Sequence, residues 1–190
     1  ANTTPESLDL ARYFADMLAA GVENVILETS SHGLHQGRTD YINFAAGMFT
    51  NLTQDHLDYH SGFEDYFQAK KILFDMLPRD AAAVCFDDGI YAQRIAADSP
   101  AEKKYLCGRN SNDDFLISNE SFDLQSSSFR LKIADEFIEK YGSYLDLQTP
   151  LIGSFNIENA ALSVSLAVVF GIDKDNIINS VRTCSGAPGR

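Results

Sequence analysis

The chain has no tryptophan, five prolines and three cysteines among its 190 residues. Cys85, Cys107 and Cys184 are odd in number, widely spaced and without a paired motif. That excludes a disulfide framework and fits reduced thiols in a cytoplasmic protein. Positive charge is scarce, with 15 Lys and Arg against 27 Asp and Glu and a formal net charge of -12. This balance argues against a nucleic-acid groove and against binding to an anionic membrane surface. No apolar run is long enough to span a bilayer, and no signal peptide is expected before Asn2. Two phosphate-binding signatures are missing as well: no Gly-x-x-x-x-Gly-Lys-Ser/Thr loop occurs, and no Gly-x-Gly-x-x-Gly follows a strand. Ser30-Ser31 lacks the glycine elbow of a serine nucleophile. A nucleotide-using chain of this kind would need its phosphate cradle upstream and would have to collect positive charge from a few side chains, helix N-termini and metal ions.

What remains is enough for one sizeable α/β domain. Both ends read as cut, so an internal segment of a longer protein is expected. Thr4-Pro5-Glu6 is a helix-start signal, with Thr4 suited to the N-cap. The first helix is expected from about Pro5 to Ala20, with Leu8, Ala11, Phe14, Ala15 and Leu18 inward and Gly21 ending it. Val25-Ile26-Leu27 reads as a short buried strand, Ala45 to Leu52 as a second and Ala81 to Phe86 as a third. A helix over Ile90 to Ala97 and a strand over Lys104 to Cys107 follow. Alternating strands and helices predict a doubly wound, mostly parallel sheet. The period-two patterns at Phe115–Ile117, Ser128–Leu131 and Tyr144–Leu147 predict a small antiparallel side sheet. Helices over Gly153–Phe170 and Lys174–Thr183 close the chain.

Lys70 is the most unusual placement. On a helix from Phe63 to Leu77, the residues Phe63, Tyr66, Phe67, Leu73, Phe74 and Leu77 form one apolar stripe, and Lys70 falls in its middle. Lys71 falls on the polar face with Glu64, Gln68 and Asp75. A buried ammonium is costly. Such a lysine snorkels to water, pairs with a carboxylate, or serves as a neutral amine that acts as a base, forms a Schiff base or takes up carbon dioxide.

Ligands of open parallel sheets sit beyond the carboxyl ends of the strands. Two polar runs lie there, Glu28-Thr29-Ser30-Ser31-His32 and Thr53-Gln54-Asp55-His56-Leu57-Asp58-Tyr59-His60, and all four histidines, His32, His35, His56 and His60, lie in or near them. A carboxylate with one imidazole suits Mg²⁺ or Mn²⁺, whereas two or three imidazoles suit Zn²⁺. The plainer alternative makes Asp55 a cap and the histidines loop hydrogen-bonders.

Glu28 to Leu34, Gln36-Gly37-Arg38, Phe49 to His60, Tyr66 to Lys70 and Gly153-Ser154-Phe155-Asn156-Ile157-Glu158-Asn159-Ala160-Ala161 resemble, in order, the central domain of the Mur ligases, most nearly their MurE branch. The likeness covers essentially the whole chain, 1–190, and implies a central ATP- and UDP-substrate-binding domain without the phosphate loop, the N-terminal domain or the C-terminal domain. It implies that Lys70 is carbamylated and, with Glu28 and His56, forms the catalytic set that holds Mg²⁺. It implies that Thr3, Thr4, Ser30, Gln36 and Arg38 bind a UDP-muramoyl-dipeptide, and that Asn156, Asn159 and Arg190 contact ATP. The implied reaction joins an amino acid to that substrate through an acyl phosphate, in a cytoplasmic, monomeric full-length enzyme with no nucleic-acid partner. The alternative weighed beside it is a metal-dependent hydrolase with a carbamylated-lysine site, although such sites ride on a barrel for which this chain is short.

Overall fold

The computed structural model describes residues 3–52 and 60–186. Helix α1 (Ser7–Ala19) ends as its sequence predicts: the Gly21 N–H donates to Leu18 O at 3.0 Å and the Val22 N–H to Met17 O at 2.9 Å. Gly21, at φ 79°, supplies the left-handed residue this closure needs. After a short helix α2 (Ser31–His35) come β1 (Ala46–Phe49), α3 (Phe63–Asp75), β2 (Ala82–Phe86), α4 (Ile90–Asp98), β3 (Lys103–Gly108), β4 (Phe115–Phe122) and β5 (Ser127–Lys132). A 3₁₀ turn (Asp135–Phe137), α5 (Ile138–Tyr141), β6 (Tyr144–Thr149), α6 (Ser154–Val169) and α7 (Lys174–Thr183) complete the order.

The strands form one six-stranded sheet in sequence order, β1 to β6. β1 through β4 pair in parallel, and β4–β5–β6 pair antiparallel. The predicted side sheet is therefore an extension of the parallel one, with β4 belonging to both. The parallel contact between β3 and β4 is only two residues long, because β4 begins where β3 stops (Cys107↔Phe115, Gly108↔Leu116).

Two apolar clusters lie on opposite faces. One joins Phe67, Leu73 and Phe74 of α3 to Ala83 and Cys85 of β2 and to Ala92 and Ile95 of α4. The other joins Val84, Cys107, Phe115 and Leu131 to Ile157, Leu162 and Val168 of α6 and Ile177 of α7. Alternation along β2 thus feeds both faces, as a strand covered on two sides requires. Cys85 aligns with Leu106, and Cys107 with Phe86, one residue out of step. The two thiols therefore point to opposite sides of the sheet and cannot bridge. Burial pushes both thiol pKa values up, that of Cys107 to about 12.

Four expectations need correction. Val25–Leu27 is not a buried strand: residues 22–30 form neither helix nor strand and have no sheet partner among the described residues, and Ile26 is 98% exposed. Its apolar run is strand-like, but nothing described covers it. The inward face of α1 also differs from the predicted one, since Leu10 is the helix's buried residue while Leu8 and Leu18 are exposed. Glu6, not Thr4, occupies the N-cap position of that helix. Lys71, expected on an exposed face, is largely covered and pairs with Asp75 at 2.5 Å and Asp98 at 3.4 Å. Burial alone would lower its pKa, but these carboxylates outweigh it and raise it.

Candidate functional site

The carboxyl ends of the parallel strands β1, β2 and β3 open to one side, and the predicted residues fall into three groups, of which that of Lys70 reaches the end of β1. The first group is built around Thr4, which is fully buried. Its hydroxyl lies 3.2 Å from the Glu28 carbonyl and 3.2 Å from Ser30 Oγ, and it accepts the Ser30 N–H at 2.8 Å. Ser30 caps α2 by accepting the Gly33 N–H at 3.1 Å. Gly33 is needed because a Cβ there would stand 2.8 Å from Thr4 Cβ. Arg38 donates to Thr4 O at 2.7 Å and to Gln36 Oε1 at 2.6 Å, and pairs with Glu6 at 2.8 Å. Among the described residues its buried Nε finds no hydrogen-bond partner, and neither does the buried Thr39 hydroxyl. The structure thus brings Thr4, Ser30, Gln36 and Arg38 into one network, while Thr3 is exposed beside it. Glu28 lies in the irregular segment before α2 and is exposed.

The second group surrounds α3. Lys70 is half-buried, with Nζ 3.4 Å from Asn51 O just past β1 and 5.1 Å above the Tyr66 ring. As an ammonium it thus faces a carbonyl dipole and an aromatic face, both of which favour a cation. Tyr66 and Phe67 are buried on the same helix face, as the stripe predicts. His60, 4% exposed, stacks on Tyr66 at 5.2 Å, and the His32 and His35 rings lie 5.7 and 6.5 Å from it. His56 and Arg190 lie outside the described residues. Among the described residues, no three His, Cys, Asp or Glu side chains gather as a metal ion requires.

The third group sits at the start of α6. Asn156 donates to Ile152 O at 2.9 Å, and Asn159 lies one turn on along the same helix. Arg109, just past β3, donates to Glu120 at 2.7 and 2.8 Å, Glu158 at 2.7 Å and Ser154 Oγ at 2.8 Å, and these carboxylates raise its pKa. Sequence reasoning missed Arg109, although its position directly after a strand was a usable signal. It also missed the Asp87–Asn110–Asp113 cluster beside it and the contacts of His60 with Ser31 and Asp65. Away from these groups, a shallow hollow of about 460 Å³ on the β4–β6 face is crossed by the Arg130–Asp146 ion pair and holds none of the predicted residues.

A family model described as the Mur ligase middle domain matches residues 1–167. The chain belongs to the Mur ligase family. Among its relatives, the UDP-N-acetylmuramoyl-L-alanyl-D-glutamate–2,6-diaminopimelate ligase of Fusobacterium nucleatum is 35% identical over all of this chain and 37% of its own length. The corresponding L-lysine ligase of Staphylococcus aureus is 33% identical over all of this chain and 38% of its own length. A solved UDP-N-acetylmuramoyl-L-alanyl-D-glutamate–2,6-diaminopimelate ligase superposes with a TM-score of 0.85 at 30% identity, covering 99% of this chain and 38% of that one. This Mur ligase chain thus spans somewhat over a third of the length of the relatives it matches. None of these matches favours the hydrolase alternative.

Proposed function

We propose that this chain is the central domain of an ATP-dependent ligase that adds the third amino acid to UDP-N-acetylmuramoyl-L-alanyl-D-glutamate in peptidoglycan synthesis. The observation that carries this reading is Lys70, a lysine on the buried face of α3 beside the end of β1, within a chain whose full length aligns with ligases named for that substrate. The whole enzyme would act in the cytoplasm as a monomer, with a UDP-muramoyl-dipeptide and an amino acid as substrates. No helix of the described residues is long and apolar enough to cross a membrane.

The roles follow the three groups. Ser30, Gln36 and Arg38 would bind the UDP-muramoyl-dipeptide, with Thr3 exposed to it and Thr4 holding the network from beneath. Asn156 and Asn159 would contact the adenine of ATP, and Arg190 its nucleotide. Glu28, His56 and Lys70 would hold Mg²⁺. As an ammonium Lys70 is no ligand, but loss of its proton and uptake of carbon dioxide by the neutral amine (R–NH₂ + CO₂ → R–NH–COO⁻ + H⁺) would turn it into an oxygen donor. Carboxylate, carbamate and imidazole together suit a hard divalent cation. Magnesium, when bound, supplies charge stabilisation to the oxygens of a transferring phosphoryl group. The protein's own task is to present anions that anchor the cation without competing as nucleophiles, and to align the substrate's terminal carboxylate.

Lys70→Ala in the full-length enzyme should abolish most ligation, with partial recovery on adding small carboxylates such as acetate. A steady-state ligation assay checks this. An unimpaired variant refutes the assignment.

A further inference from the structure

The contacts of His60 have no part in the roles given above. Its Nε2 lies 2.9 Å from Ser31 Oγ, the first residue of α2, and its Nδ1 lies 3.5 Å from Asp65 in the first turn of α3. Asp65 is itself fixed by accepting the Ser61 N–H at 3.0 Å, which with His60 lowers its pKa. These are the residue types of a hydrolytic triad, but Ser31 and His60 are both buried, so no acyl substrate can reach the hydroxyl. The arrangement instead ties two elements together. On its ring face, His60 stacks against Tyr66 with 28° between the planes. Tyr66 is also buried, and one helical turn further on Lys70 places its Nζ 5.1 Å above the same ring. A contiguous path therefore runs from Ser31 through His60 and Tyr66 to Lys70.

We propose that His60, held between Ser31 and Asp65 and stacked on Tyr66, is a positioning residue that fixes the ring beneath Lys70 and so aims the lysine at the strand ends. The inference rests on the reading of Lys70 given above. Each side chain in the path has a physical reason to hold the next. The Ser31 and Asp65 contacts set the rotation of the imidazole, the imidazole sets the tilt of the phenol ring, and the ring face sets where the Lys70 head group lies. Partners one shell removed from a ligand typically change metal affinity or activity by about 10–100-fold when lost.

The test uses the full-length enzyme with His60→Phe, which keeps an aromatic ring but loses both polar contacts, and His60→Gln, which keeps an amide able to reach Ser31. Two readouts are compared: the ¹³C NMR carbamate signal of Lys70 after incubation with ¹³C-bicarbonate, and kcat against KM. His60→Phe should lower kcat by about tenfold, leave KM for the UDP-substrate within about twofold and weaken the carbamate signal severalfold. His60→Gln should recover only part of either, because it restores the Ser31 contact without the ring that stacks on Tyr66. Wild-type kcat and signal in His60→Phe overturn the proposal. If that variant fails to fold, Ser31→Ala is measured instead. It should lower both readouts by about threefold, and no change in either again overturns the proposal. A wild-type enzyme with no carbamate signal, or a fully active Lys70→Ala, brings down the underlying site reading and this inference with it. A wild-type carbamate indifferent to His60 brings down only the inference.

Discussion

Replacing Asp113 by asparagine should stabilise the protein above pH 6 and remove a falling step from its stability profile. Asp113 is 3% exposed in the loop between β3 and β4, where its carboxylate accepts the Asn110 N–H at 2.8 Å. Burial pushes its pKa up; the Asn110 N–H pulls it back, and the neighbouring Asp87 carboxylate pushes it further, to about 6 against an ordinary 3.8. Below about pH 4 both folded and unfolded states hold the proton, so burial carries no penalty. Above about pH 6 neither holds it, and only the folded state bears the confined anion. Stability from this group therefore falls as pH rises from 4 to 6 and stays low above. At about 1.4 kcal/mol per tenfold, the gap corresponds to roughly 3 kcal/mol at most, and solvent screening at the loop surface reduces this to about 1–2 kcal/mol. Asparagine can still accept from Asn110 and can donate to Asp87, which a carboxylate cannot. With no tryptophan to report unfolding, urea titrations followed by far-ultraviolet circular dichroism are the suitable assay. Subtracting the variant from the wild type removes the opposing slopes of Glu64 and Asp146, whose partners Arg94 and Arg130 lower their pKa values. A variant less stable than wild type at pH 8, or a difference unchanged between pH 8 and pH 4.5, would refute the reasoning.

Two further outcomes follow from the packing. Gly33→Ala should destabilise the fold by about 1–3 kcal/mol, because the new methyl group meets the buried Thr4 side chain; an unchanged urea midpoint would contradict the contact. Under native conditions a disulfide-exchange reagent should titrate one thiol, the exposed Cys184, and all three after denaturation. Rapid labelling of three thiols in the native protein would show that Cys85 and Cys107 are less enclosed than described.

Local pattern decided which parts of the molecule were legible. The limits of α7, and nearly those of α4, α6 and β2, follow from periodicity and from flanking Gly and Asp residues, because those signals act over a few residues. The two-faced sheet was also readable, since near-continuous apolar strands such as β2 demand cover on both sides. Val25–Leu27 was misread because a strand pattern says nothing about whether a partner is present. Lys70 stood out because one cation interrupted a regular stripe. The contacts of His60 with Ser31 across 29 positions, and of Arg109 with Glu158 across 49, leave no local trace and needed the fold to become visible.

The alternation of β2 has a mechanical consequence. Lys70 stands on the helix that seals one apolar layer, while Asn156 and Asn159 stand on the helix that seals the other, and the backbone of the central strands lies between as a thin partition. Substitutions deep within one layer should combine additively with those in the other. Any communication between the lysine and the two asparagines must then travel around the rim, through the loops that follow each strand.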